Sequence, residues 1–325
     1  MSDRCVIAVG GENLIDYVDR EGVATAFPGG SPFNVAMALG RQGAEVAYIT
    51  PISTDDWGEM LEGTLIASGV SCTGGRRTEP TTMARVTVTD GIPSYAFERE
   101  GTAERMVSVE SLRAAMPEGA AAIHTGSLTL TDGADAAVWE SFLAGCYHGG
   151  QVVSLDPNVR LSVVRDAEGY RARLMRMVER AHLVKLSDED LEALFPDRPQ
   201  AAAIADLSAL TPARLLVLTL GRDGVRAWHG GTEIALPAAK VANLADTVGA
   251  GDTFTATLLA GLAAAGQLTP RGLEEIDAET LTALLRRATV AAALNCAREG
   301  CDPPRRAEID ARLAAEAEKE EGPRG

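Results

Sequence analysis

Short apolar runs recur along this chain with longer amphipathic stretches between them, and that alternation restricts the fold more than any other feature. Runs at 5–10, 45–50, 121–125, 152–155, 182–185 and 214–219 are rich in Val, Ile, Leu and Ala. Segments 32–42, 57–68, 135–148, 168–180, 188–195 and 200–209 lie between them and carry apolar residues at helical spacing. Strands that are apolar along their whole length need cover on both faces, so the pattern predicts βαβ units and a parallel sheet between two helical layers. The expected fold class is α/β, an open doubly wound α/β/α sandwich. Beyond 220 the pattern changes to short strands at 224–228 and 232–236, then long helices near 250–265 and 279–298.

Two segments break the alternation. Residues 12–27 read as two short strands around Arg20-Glu21-Gly22, and 82–99 read as a hairpin turning at Asp90-Gly91. Neither pair is stable alone, but joined they make one small sheet that leaves the main body at two points. The expected organisation is an α/β body of residues 1–11, 28–81 and 106–311, a β lid of 12–27 and 82–105, and a charged, flexible tail at 312–325.

Composition limits the partners. The formal net charge of −16 repels phosphate backbones and anionic lipid surfaces, which argues against nucleic-acid and membrane binding. Lysine occurs only at 185, 240 and 319, so a nucleotide would have to be met by backbone N–H groups, arginines and a metal ion. The five cysteines form no CxxC pair and show no metal-ligand spacing with the four histidines, as expected of reduced thiols. The chain enters a strand-like CVIAVGG with no signal-peptide pattern, and no apolar stretch reaches the ~20 residues that span a bilayer. A cytoplasmic protein is expected.

The sharpest local signal is DTVGAGDTF at 246–254, set in front of the helical pattern TATLLAGLAAAG. Gly249, Ala250 and Gly251 let the backbone approach a ligand closely, and the helix behind them turns its free N–H groups and positive dipole end outward. Such a pocket suits a phosphoryl group in transfer, and Asp252 adds a carboxylate able to take a proton from an attacking hydroxyl. A helix cap on a tight glycine turn would use the same residues. The P-loop pattern GxxxxGK[ST], the dinucleotide pattern GxGxxG after the first strand, the protein-kinase set and HExxH are all absent.

With these residues in place the chain resembles the ribokinase-like, or phosphofructokinase-B-type, carbohydrate kinases, and is most similar to the fructokinases among them. The resemblance spans about residues 5–305 and rests on GENLIDYV (11–18), GGSPFNVAMALGRQG (29–43), FEREGTAER (97–105), DPNVR (156–160), VKLSDEDL (184–191), TLGRDG (219–224) and DTVGAGDTF. It implies a ribokinase-like fold whose small β lid closes over the sugar, with Asp252 as the base and residues 249–251 around the phosphoryl group. It further implies that Asp16, Gly30, Ser31, Asn34, Arg99 and Arg160 address the sugar. For ATP it implies Asn158, Ser187, the turn from Thr219 through Gly221 to Gly224, Gly249, Gly251 and Asn295. Lys185, which ends another strand at the same edge, is a further candidate. As bland readings, Ser31 is a helix N-cap followed by Pro32, and Lys185 is a solvated strand end.

The chain departs from the family at three places. The NxxE motif linked to magnesium reads Ser187-Asp188-Glu189-Asp190, which leaves Asp190 as the metal candidate. The usual GDD reads Thr54-Asp55-Asp56, and Glu98 stands where an aromatic residue is common. The implied cofactors are ATP and Mg2+, with K+ as a further candidate cation, and the lid offers a surface for a homodimer. The expected reaction is phosphorylation of D-fructose to fructose 6-phosphate. Alternatives are 2-keto-3-deoxygluconate, ribose or another small sugar as acceptor, a nucleoside, or a sugar-binding regulator without catalysis. A keto acid would need a cationic clamp, for which Arg99 and Arg160 are the candidates.

Overall fold

The computed structural model describes residues 5–20, 23–89, 92–211 and 213–320. The turns expected at Glu21-Gly22 and Asp90-Gly91 lie outside them, as do residues 321–325. In chain order the elements begin with β1 (Val6–Val9), β2 (Leu14–Arg20), β3 (Val23–Gly29), α1 (Ser31–Arg41), β4 (Glu45–Tyr48), β5 (Ile52–Ser53), α2 (Asp56–Ala67), β6 (Val70–Cys72) and β7 (Arg76–Arg77). Next come β8 (Thr82–Thr89), β9 (Ile92–Glu98), α3 (Val109–Ala115), β10 (Ala122–Gly126), α4 (Ala134–His148), β11 (Val152–Asp156), α5 (Ala167–Val178), β12 (Leu183–Ser187), α6 (Asp188–Leu194) and α7 (Gln200–Leu210). The chain continues through β13 (Leu215–Thr219), β14 (Val225–His229), β15 (Thr232–Leu236), α8 (Ala250–Ala264), α9 (Pro270–Glu275), α10 (Ala278–Cys296) and α11 (Arg306–Glu320).

The main sheet has nine strands in the order β15-β14-β13-β12-β11-β10-β1-β4-β6. From β6 to β13 every neighbouring pair is parallel, and β14 and β15 are added antiparallel at one edge. Strands such as Val152–Asp156 and Ala122–Gly126 are buried at every position, because helices cover both faces. One apolar layer joins the sheet to α1, α8 and α10 through Phe33, Val35, Leu39, Phe254, Leu258 and Leu285. The other packs α4, α5 and α7 against the opposite face through Trp139, Phe142, Leu174 and Leu207.

The chain runs from β1 to β4 and β6 on one side, then returns to lay β10 to β13 on the other. The crevice outside the C-terminal ends of β1 and β10 is therefore the switch point, where open α/β sheets bind ligands. A second sheet of order β3-β2-β8-β9 stands beside it, with β2 and β8 parallel and the outer pairs antiparallel.

The expected frayed tail from 312 is corrected over the described residues. α11 continues to Glu320, with Ile309 fully buried against Val290 and Ala291 and with Leu313 packed on the same cluster. Charged residues on the outer face, among them Arg312 and Glu316 at 2.7 Å, hide that narrow apolar stripe in the composition.

Candidate active site

Asp252 sits in the first turn of α8, 7% exposed. Its Oδ1 accepts a hydrogen bond from Ser31 Oγ at 2.6 Å and its Oδ2 accepts one from Asn34 Nδ2 at 2.8 Å, both from the first turns of α1. Burial pushes the carboxyl up to about 6, against the lowering effect of these two donors. A group poised there is ionised at neutral pH yet basic enough to take a proton.

The loop in front of α8 needs its glycines. Gly249 is left-handed at φ 73, and a side chain there would run into Cys301 Sγ. A Cβ on Gly251 would stand 2.9 Å from Lys185 Nζ, so the ammonium lies directly against the loop. Lys185 is not a solvated strand end. It is buried and donates to Asp156 Oδ2 at 2.9 Å. Its charge therefore joins the backbone N–H groups of α8 in an anion-attracting corner. Asp156 Oδ1 is buried without a partner.

The loop before α1 is organised by a residue that the sequence reading passed over. Glu12, 1% exposed, accepts from the Ser31 backbone N–H at 3.1 Å through Oε1. Its Oε2 accepts from Thr129 N at 3.1 Å and Thr129 Oγ1 at 2.7 Å. Gly30, at φ 106, leaves room for the Glu12 carbonyl, which a Cβ would approach to 2.5 Å. Glu12 lies within GENLIDYV, but a buried carboxylate reads as a surface residue until its partners from two other loops are known. Asp16 stands on β2 of the second sheet, half-buried, and burial with the charge of Glu12 raises its carboxyl to about 6.

On the nucleotide side, Thr219 ends β13, and Gly221 (φ 52) and Gly224 (φ 104) form the turn after it. A side chain on Gly224 would collide with the Leu236 carbonyl. Asn158 holds a positive φ of 39 beside β11, and Arg160 is half-buried with Nη1 on the Val159 carbonyl at 3.2 Å.

Three of the expected site residues are held by partners within the fold. Arg99 is buried, with Nε on Glu104 Oε1 at 3.1 Å and Nη1 on the Leu128 carbonyl at 3.0 Å, which leaves only Nη2 without a partner. Asp190 is not an open metal ligand. It closes a capping box with Ser187, accepting from its N–H at 2.9 Å and its hydroxyl at 2.7 Å, and also accepts from Val159 N at 2.6 Å. Asn295 is fully buried and donates to the Val248 carbonyl at 2.7 Å, so it braces the 246–252 loop from behind. Ser187 accordingly serves as the N-cap of α6.

Known proteins resemble this chain in sequence and in fold. The model of the pfkB family carbohydrate kinases matches residues 5–308. A fructokinase of Rhizobium leguminosarum bv. trifolii is 35% identical over 277 residues, covering 83% of this chain and 84% of that protein. A fructokinase of Klebsiella pneumoniae is 32% identical over 262 residues, with 79% and 84% covered. Among solved structures, a fructokinase from Xylella fastidiosa with bound ATP superposes with a TM-score of 0.89 at 27% identity, covering 97% of this chain and 99% of its own.

Proposed function

The chain belongs to the pfkB family of carbohydrate kinases, and from that premise we propose that it transfers the γ-phosphoryl group of ATP to D-fructose, forming fructose 6-phosphate. The observation that carries the reading is the carboxylate of Asp252, poised near 6 and held by Ser31 and Asn34 at the mouth of a glycine-lined helix N-terminus. Asp252 takes the proton of the attacking hydroxyl. The N–H groups around Gly249, Ala250 and Gly251, with Lys185 beside them, stabilise charge on the phosphoryl group in transfer. Ser31 and Asn34 serve chiefly to orient the base. Asp16, reaching in from β2, accepts from sugar hydroxyls, and Gly30 leaves the loop open to the sugar.

ATP lies along the C-terminal edge of the sheet, past Asn158, Thr219, Gly221 and Gly224. Among the described residues no group of three or more His, Cys, Asp or Glu is placed to hold a metal ion. Magnesium keeps several waters and leans on substrate phosphates and one or two carboxylates. Asp156, with its unpartnered Oδ1 beside Lys185, is the residue that fits it. The second sheet acts as a lid that excludes water, and the account extends to a homodimer through that lid and to a cytoplasmic enzyme. Among the described residues no helix is long and apolar enough to cross a membrane.

Of the alternative acceptors, a keto acid loses one of its two candidate cations, because Arg99 is already neutralised by Glu104, and keeps only Arg160. ADP release with MgATP against fructose, 2-keto-3-deoxygluconate, ribose, glucose, tagatose and adenosine tests the reading. Preferred turnover of fructose supports it, and silence on fructose with turnover of another acceptor refutes it.

A further inference from the structure

Glu104 stands in the turn after the second sheet, 2% exposed, and faces Arg99 across a 3.1 Å ion pair. Thr82 Oγ1 donates to Glu104 Oε1 at 3.0 Å, and Arg99 Nη1 is tied to the Leu128 carbonyl at 3.0 Å and Thr131 Oγ1 at 3.3 Å. These partners border the cleft. On β8, Thr82 and Ala84 pair with Leu14 and Asp16 of β2, so Thr82 shares the face that carries Asp16. Leu128 packs on Leu14 and Ala84, and the neighbouring Thr129 holds Glu12. A continuous run of contacts therefore joins Asp252, through Ser31, Glu12 and the 128–131 turn, to Arg99 and Glu104.

Three carboxylates, Glu12, Asp16 and Asp252, already serve this cleft, and Glu104 cancels the charge of Arg99, which is tied to the turn beside them. We propose that Glu104 is a specificity-determining residue: by neutralising Arg99 it makes the cleft select an uncharged sugar and reject a sugar acid. The inference rests on the kinase reading above and deepens it to a substrate class. A sugar carboxylate entering such a cleft meets like charge, and the Arg99 guanidinium is already paired, a repulsive element that discriminates without touching the neutral substrate. Glu104 acts through Arg99, so it is a positioning residue. Exchanging its carboxylate for an amide keeps an acceptor for Nε but leaves the guanidinium un-neutralised, anchored on Leu128 and with Nη2 buried without a partner. Two adjacent N–H groups of a guanidinium match a carboxylate.

The test is steady-state turnover of fructose and of 2-keto-3-deoxygluconate by the full chain in three forms: wild type, Glu104→Gln, and the double variant Arg99→Leu with Glu104→Leu. Glu104→Gln keeps the volume and an acceptor for Thr82. The ratio of kcat/KM for fructose to that for the acid should fall by roughly tenfold or more. The double variant has no cation to offer and should stay closed to the acid. A purely structural role would lower both substrates in parallel and leave the ratio unmoved, which would overturn the proposal. The wild type supplies a check that needs no variant: turnover of the acid within tenfold of fructose also overturns it. If the wild type fails on fructose, the fructose reading itself falls, and the ratio is then read with whichever neutral sugar of the panel is turned over.

Discussion

Asp252→Asn should make the unliganded protein more stable while disabling it. The carboxyl rises from an ordinary 3.8 to about 6 on burial. Two pH units correspond to about 3 kcal/mol of penalty for keeping it ionised in the fold. An amide removes that penalty. Ser31 Oγ still finds an acceptor in it, and Asn34 can turn so that its Oδ1, now buried without a partner, accepts from the new NH2 group. Charging about 1 kcal/mol for the weaker neutral hydrogen bonds leaves a net gain of about 2 kcal/mol. For a chain of this size that is a rise in Tm of about 3 °C. The sign follows from the raised value: the protonated form favours folding below the unfolded pKa, and that contribution is lost as pH rises through about 6. The gap between variant and wild type is therefore widest near pH 8 and shrinks toward pH 5. Thermal unfolding of both proteins without ligand, at both pH values, is the assay. A variant less stable than wild type by the same margin at both would refute the reasoning, because it would mean that the hydrogen bonds outweigh the buried charge.

Other outcomes follow from the same geometry. Asp16 and Asp252 both sit near 6 and both act ionised, so kcat/KM for the sugar should fall below about pH 6 with a slope approaching two protons, reduced to one in Asp16→Asn. A profile flat to pH 5 would contradict this. Lys185→Met strands Asp156 as an unpaired buried charge and should cost roughly 3–5 kcal/mol in denaturant unfolding. Adding Asp156→Leu should recover most of that stability without restoring kcat, and recovery of both would remove Lys185 from the anion corner. Gly224→Ala forces a side chain into φ 104 against the Leu236 carbonyl, costing roughly 1–3 kcal/mol. It should raise KM for ATP more than KM for the sugar, and the reverse order would put that turn on the wrong substrate.

Much of the fold was legible because strands and helices write themselves as local periodicity. The strands at 122–126, 152–156 and 215–219, buried at every position but Thr219, are mostly apolar runs broken only by polar residues such as His124 and Asp156. Helices α1 and α8 follow glycines that mark their starts. Asp252 was legible for the same reason, since its loop and helix are contiguous. What could not be read were partnerships across space. Glu12 and Glu104 are buried carboxylates whose partners lie 19 or more residues away in Ser31, Thr129 and Thr82, or on a guanidinium that looks solvated in sequence. The same holds for Arg99 and Lys185, whose side chains suggested ligand contacts or solvent until Glu104 and Asp156 appeared opposite them. Asp190 differs: its capping partner is three residues away, and the S-x-x-D spacing was a cap signal in plain view. α11 was missed because charge dominates its composition while a few positions, chiefly Ile309, do the packing.

The central claim is that Asp252 drives transfer of the γ-phosphoryl group of ATP to fructose. Phosphorus NMR of a reaction holding protein, MgATP and fructose tests it most directly. The account predicts that fructose 6-phosphate and ADP appear together in equal amounts, and that Asp252→Asn slows both by roughly 10²–10⁴ while ATP still binds. A variant that forms the product at the wild-type rate would contradict the assignment of the base. ADP accumulating with inorganic phosphate instead of a sugar phosphate would contradict the reaction itself.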